Sequence, residues 1–339
     1  MTFAISRRSV ALITLAFALL FASAPGAARG RAAAPDPPAL THLVIDGDVV
    51  RASTEADSTG QCSWVSYDPK TRRWSAPTPG PAAALSLEDS LASVRVFDGG
   101  LFDKFRGDTI ALGDGTSIAR RDSGFALLAG DTDLGWPSVT EKDVLSWAGK
   151  VRQGLPRDYP EERVHDLLDR HRLYNVPGPT THAGNIRWFG LKGGFVGGQG
   201  QLGGLVSYDP DRKRFDVHRH YLLVDASVTR LFARGGGLWI GTGRFGERAL
   251  EGITGLLLYR PKRGEWRQFS TRNSRISGDL IWDIAEGRDD LWVTTDRGVS
   301  RYGFDSKNWS SWYWHRTKDG AGWILSSDPP GSLAEELGR

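Results

Sequence analysis

The sequence predicts an all-β protein: a β-propeller of about six four-stranded blades, with five to seven compatible, and one short helical insertion. Three observations predict it. The 339 residues include 42 glycines and 13 tryptophans, a pairing of frequent tight turns with bulky anchors that short strands use well and helices do not. One segment recurs, because Leu238-Trp239-Ile240-Gly241-Thr242 returns as Leu291-Trp292-Val293-Thr294-Thr295, each preceded by a strand-like stretch led by valine or isoleucine, at 228–233 and 281–286. Each copy then continues into a stretch ending in tyrosine and another opening on an aromatic, with turn residues between them.

At the N-terminus, Arg7 and Arg8 precede a 15-residue apolar run, 10–24, and the small residues Ala22-Ser23-Ala24 and Ala27-Ala28 close it. That is the order of an export signal, and the run is shorter than the ~18–20 residues of a spanning helix. Residues 1–28 are therefore read as a signal peptide and 29–39 as a linker, with an uncleaved anchor as the alternative. Ser6-Arg7-Arg8 partly matches a twin-arginine signal, whereas the apolar 12–21 suits the general secretory route; both stay open. Without Arg7 and Arg8 the formal charge falls from +3 to +1, too small to favour nucleic acid as a partner. The one cysteine, Cys62, has no intrachain partner for a disulfide. The expected protein is exported, periplasmic or extracellular, and meets a membrane only through an uncleaved signal.

The propeller is expected over 40–320 and a tail over 321–339. A first copy runs through Leu40 to Ile45, Val49 to Ser53 and Trp64-Val65-Ser66-Tyr67, and after Asp68-Pro69 reaches Trp74. Proline presets φ and cannot continue a ladder, so this junction and its counterparts read as hairpins. A weaker copy lies at 116–119 and 125–130 and leads into Val144-Leu145-Ser146-Trp147, where Thr140 and Asp143 make a helix from Glu141 equally consistent. A third copy takes 186–191 as its first strand and Phe195-Val196-Gly197-Gly198 as its second. Tyr208, Tyr259 and Tyr302 close the third strands of the last three copies, followed by Phe215, Trp266 and Trp309; the 51- and 43-residue spacings of the tyrosines suit blades. Between copies two and three, Pro160 opens a helix with Glu161 and Glu162 in its first turn and Arg170 and Arg172 in its last, favourable to the helix dipole. It should end near Tyr174, within an insertion of about 155–180.

Across 186–312 these units, an Ile/Val-led strand, the Leu-Trp-Ile/Val segment and a Gly-Leu/Val strand ending in tyrosine, resemble the two-component-regulator propeller repeat. The resemblance implies a periplasmic sensor-type propeller, found in that family mostly in membrane-bound hybrid histidine kinases that respond to polysaccharide fragments. No kinase segment or internal spanning stretch follows here, so a signalling role is not carried over.

Other motifs are mostly bland. Gly198-Gln199-Gly200-Gln201-Leu202-Gly203 matches GxGxxG, but a strand rather than a helix follows, so these are turn glycines and no cofactor is expected. His218 and His220, with Asp216, share one face of an outer strand; a polar surface strand explains them more simply than a metal. The acidic side of the insertion helix, Glu161 to Asp169, reads as a solvated face.

Superposing the copies singles out one position. The third residue of the inner strand is His42, Ser117, Trp188, Arg230 or Asp283, each followed by an apolar residue. First strands line a propeller's channel, so these side chains are expected around its mouth, with Trp188 or Trp282 stacking on a polar small molecule or glycan. The alternative is that they bond one blade to the next. Two functions follow: a non-catalytic binding module for such a ligand or for another envelope protein, or a propeller lyase or glycosidase in which His42 or His182 works with a carboxylate. The mature chain should begin near residues 25–35; N-terminal sequencing of exported protein checks this, and an intact Met1 on membrane-held material would contradict it.

Overall fold

The computed structural model describes residues 37–54, 58–82, 109–112, 114–121, 124–140, 173–196, 199–223, 226–243, 255–319 and 322–329, all within one compact unit, Pro37–Arg339. Among them are five antiparallel sheets of four or five strands, and the only helical pieces are two 3-10 turns, Tyr221–Leu223 and Pro261–Arg263. Sheet I holds β1 (Leu40–Asp46), β2 (Val49–Thr54), β3 (Gln61–Asp68) and β4 (Arg73–Trp74), with β5 (Thr78–Pro81) beside β3. Sheet II holds β6 (Thr109–Ala111), β7 (Thr116–Arg121), β8 (Gly124–Ala129) and β9 (Thr132–Asp133). After β10 (Leu173–Tyr174), sheet III runs β11 (Pro177–Ala183), β12 (Ile186–Leu191), β15 (Leu205–Asp209), β16 (Arg214–His218), and a hairpin of β13 (Gly193–Val196) and β14 (Gln199–Leu202) pairs with β10. Sheet IV is β17 (Ser227–Arg234), β18 (Gly237–Gly243), β19 (Leu256–Arg260), β20 (Glu265–Phe269). Sheet V is β21 (Ile281–Glu286), β22 (Asp290–Thr295), β23 (Gly298–Gly303), β24 (Trp309–Arg316), β25 (Trp323–Ser326).

The sheets pack face to face in order. One apolar cluster joins II to III, a second III to IV, a third IV to V, and a fourth joins V back to I. The first strands β11, β17, β21 and β1 touch in succession along this series. Successive four-stranded sheets whose first strands touch, with the C-terminal sheet packed on the N-terminal one, are the propeller arrangement.

The repeat explains why each sheet forms. Tyr67, Tyr208, Tyr259 and Tyr302 sit on third strands, directly opposite Trp74, Phe215, Trp266 and Trp309 on the fourth. Such cross-strand aromatic pairs hold the register. Each connecting turn carries one left-handed residue two places before its aromatic: Arg72, Lys213, Gly264 and Lys307. Only the glycine adopts that conformation without steric cost. First strands of sheets I, III, IV and V share a bulge, placed between Leu40 and His42, Pro177 and Thr180, Val228 and Arg230, and Ile281 and Asp283.

Several expectations change. The third copy lies one strand out of step with the expectation: 186–191 is the second strand, its Trp188 standing where Trp239 and Trp292 stand, and Pro177–Ala183 is the first. Phe195 and Val196 belong to the β13–β14 hairpin instead. The weaker copy is shifted likewise, because β6 precedes β7 and makes Thr116–Arg121 a second strand. The helix expected from Pro160 falls outside the described residues up to 172, but its expected end at Tyr174 is a strand paired to β14, and the insertion's last residues start sheet III. Val144–Trp147 also lies outside the described residues. Sheet V passes the expected limit at 320, since Trp323–Ser326 pairs with β24.

Trp239 and Trp292 are buried between sheets. Alanine at either should lower the unfolding free energy by ~3–5 kcal/mol through lost burial and the cavity left, read from urea melts; losses under ~1 kcal/mol at both would mean neither is packed.

Candidate functional site

The inner wall brings together three of the superposed residues. His42, Arg230 and Asp283 follow the bulges of β1, β17 and β21, and a bulge re-aims the side chains beside it. Asp283, only 6% exposed, is held from three directions. Arg230 Nε lies 2.8 Å from its Oδ1, the Leu43 N–H donates to Oδ2 at 2.7 Å, and the Ile284 N–H donates to Oδ1 at 2.8 Å. One carboxylate thus ties sheet V to sheets IV and I. The reading in which these groups bond blade to blade describes Asp283 and Arg230; His42 is half-buried beside them, across from Ser53 on β2.

Ser117 and Trp188 do not join that row, because both sit on second strands. Trp188 is 4% exposed, tilted against His218 at 4.8 Å and edge-on to Tyr259 at 6.0 Å between sheets III and IV. It is core, and stacking on a ligand is not open to it. Trp282 is the half-buried bulge residue of β21. The sequence held the signal for Trp188: Arg187-Trp188-Phe189-Gly190 aligns with Leu238-Trp239-Ile240-Gly241.

His182 does meet a carboxylate. Its Nε2 is 3.4 Å from Asp114 Oδ2, at the turns joining first to second strands in sheets II and III. Buried Arg187 stands between them, pairing with Asp114 and placing Nη2 2.7 Å from the same Nε2. That nitrogen therefore accepts a guanidinium proton and is not free for acid or base work. Burial pulls the Asp114 carboxyl upward, but the Thr116 hydrogen bonds and the Arg187 charge prevail and lower it. The cluster is a clamp between sheets.

His218, Asp216 and His220 do not form one face either. β16 ends at His218, which meets the Ser207 hydroxyl at 2.9 Å and is lowered from its ordinary value by burial, against the charge of Asp216. Asp216 pairs with Arg214, and His220 stacks on Trp266 at 4.5 Å.

The mouth end, where first strands begin and second strands finish, carries two groups the sequence did not single out. Lys192 directly follows β12, and its N–H donates to Val176 O at 3.0 Å; Asp296 holds the same place in sheet V, its N–H donating to Leu280 O at 3.0 Å. Lys192 is 3% exposed. Its side chain packs against the innermost strand at Gly178, where a Cβ would come within 3.2 Å of Cε. Among the described residues no hydrogen bond or ion pair reaches it, and burial lowers it from 10.5 to about 8. Burial, with a smaller part from Asp279, pushes the Asp296 carboxyl up against the Leu280 N–H and the charge of Arg297. Neither Lys192 nor Asp296 belongs to the strand repeat, which is why superposition of strands passes over them.

Asp283→Ala should cost ~2–4 kcal/mol, because it removes the carboxylate that pairs with Arg230 and the acceptor of the Leu43 N–H. Chemical denaturation checks this; unchanged stability with loss of a bound ligand would instead assign the carboxylate to recognition.

No protein-family model matches the sequence, and no curated protein matches it either. Solved structures are similar to it at low identity. They include the extracellular domain of the hybrid two component system BT4673 from B. thetaiotaomicron, 14% identical over 84% of this chain and 30% of that one, TM-score 0.35. PorZ of the type-IX secretion system of Porphyromonas gingivalis is 13% identical over 81% and 34%, TM-score 0.35. The GH74 xyloglucanase of Xanthomonas campestris is 12% identical over 80% and 38%, TM-score 0.35. The chain spans about a third of the length of each.

Proposed function

We propose that the protein is an exported, non-catalytic binding propeller of the periplasm or cell exterior, whose mouth takes a polar small molecule or glycan through an anionic group. The observation that supports this is Lys192. An ammonium this buried has given up its hydration, and a shift from 10.5 to about 8 corresponds to a penalty on the order of 3 kcal/mol for staying charged at neutral pH. A ligand anion reaching it would give the ammonium a partner of opposite charge and raise its pKa back toward the ordinary value. Another envelope protein presenting a carboxylate is the other partner class for this face. The repeat's resemblance to sensor propellers agrees with a recognition role. The competing reading, a lyase or glycosidase, is favoured by Asp296, whose raised carboxyl at the same end is suited to giving up a proton.

Lys192→Met tests the proposal. Since the folded amine titrates lower than the unfolded one, the penalty is fully present below about pH 8, and stability recovers as pH rises from there to the unfolded value. The variant should therefore be more stable than the parent at pH 7, lose the rise between pH 8 and 10.5, and fail to bind whichever anionic glycan or metabolite a screen finds for the parent. A less stable variant would mean that the amine has a structural partner. Turnover of a bound glycan, abolished by Asp296→Asn, would favour the enzyme.

A further inference from the structure

The opposite end of the ring carries a second concavity. Between sheets IV and V lies a cleft of about 330 Å³, at the small end of the ~300–1,000 Å³ range of ligand pockets. Its floor is apolar, made by Trp239, Leu258 and Tyr302, all buried. Four cations surround it, Arg234, Arg260 and Arg267 from sheet IV and Lys307 from sheet V, and among the described residues no acidic one lines it. The entrance stays clear because the turn from β17 to β18 is Gly235-Gly236, at φ 58° and 74°, a left-handed pair that makes the tight hairpin and leaves no side chain over the opening.

The four cations are not equivalent. Arg234 pairs with Glu286 and lies over the Phe304 ring at 3.8 Å, and Arg260 pairs with Glu265 at 3.5 Å. Arg267 rests over the Phe269 ring at 4.6 Å, and the Lys307 ammonium donates to the Phe304 carbonyl; among the described residues neither meets a carboxylate. Two positive charges that meet no carboxylate among the described residues, one from each sheet, thus flank an apolar floor. Lys307 is also the left-handed residue of its turn, so the strained position that repeats through the sheets is the one that supplies a cation here.

We propose that this cleft is a second ligand site, taking a small anion carried on a ring: a carboxylate held between Arg267 and Lys307, with the ring against the Trp239 and Tyr302 floor. An acidic sugar and an aromatic acid share this chemistry. The site is separate from the mouth and stands whether or not the mouth binds a ligand.

Titration calorimetry tests it, using glucuronate, benzoate, their neutral counterparts glucose and benzyl alcohol, and inorganic phosphate. At least one ring acid should bind the parent protein, with the neutral counterpart at least ~10-fold weaker. Which acid binds tells the sugar from the aromatic source. Arg267→Gln/Lys307→Gln should weaken that binding ~10- to 100-fold with little change in melting temperature, since both side chains are exposed and hold no carboxylate. Lys192→Met should bind it as the parent does. The proposal is overturned if neither acid binds, if the neutral compounds bind as well, if phosphate binds as tightly as the ring acids, if the double variant binds undiminished, or if Lys192→Met abolishes the signal.

Discussion

The fold depends on sheet V closing against sheet I. An apolar sheet face needs a neighbour to keep it from water, and sheet V finds one in sheet I. Here Tyr67 of sheet I lies 5.5 Å from Trp74, 5.0 Å from Trp292 and 5.1 Å from Trp312. Trp292 and Trp312 stack on each other at 5.6 Å, and the Trp312 indole N–H donates to the Arg72 carbonyl across the seam. The Asp283 bond to the Leu43 N–H closes the same seam at the inner wall. Partners in both of those bonds are 240 residues apart. Closing a loop of that length costs entropy before any contact returns it, so the aromatic cluster is what makes the ring worth forming.

That requirement also decides which polar groups are left for recognition. A charged side chain on an inner strand next to a seam is most stable when it bonds the adjacent sheet, and Arg230 and Asp283 do so. The polarity not consumed in this way lies at the two ends of the ring. At the mouth it is Lys192, following β12, with Asp296 at the matching place in sheet V. At the other end it is the cationic rim between sheets IV and V, built from a strand end, a fourth strand and a turn. Rigid sheets fix the spacing of these groups.

The strand repeat was legible because it is local. A tyrosine opposite an aromatic, with a turn between, is set by a few neighbouring residues, and all four such pairs are found in place. The tryptophan of the second strand is equally local, and reading it at Trp188 would have corrected the register of sheet III. The first strand of sheet III is hidden from the sequence because Pro177–Ala183, PGPTTHA, is a poor strand by propensity and by period; it forms because β12 on one side and β17 on the other supply its pairing and cover.

By itself the sequence determined the all-β class, the four-strand unit, its turns and the aromatic residues that anchor each sheet, since these follow from side-chain period, cross-strand pairing and turn chemistry within about fifty residues. Only the tertiary structure decided that Asp283 serves the ring, that Trp188 is core, that Arg187 occupies His182, and that Lys192 has no partner among the described residues. Each of those outcomes depends on which neighbour arrives from another sheet. Burial and charge compensation are properties of such an encounter, and no stretch of sequence contains both sides of it.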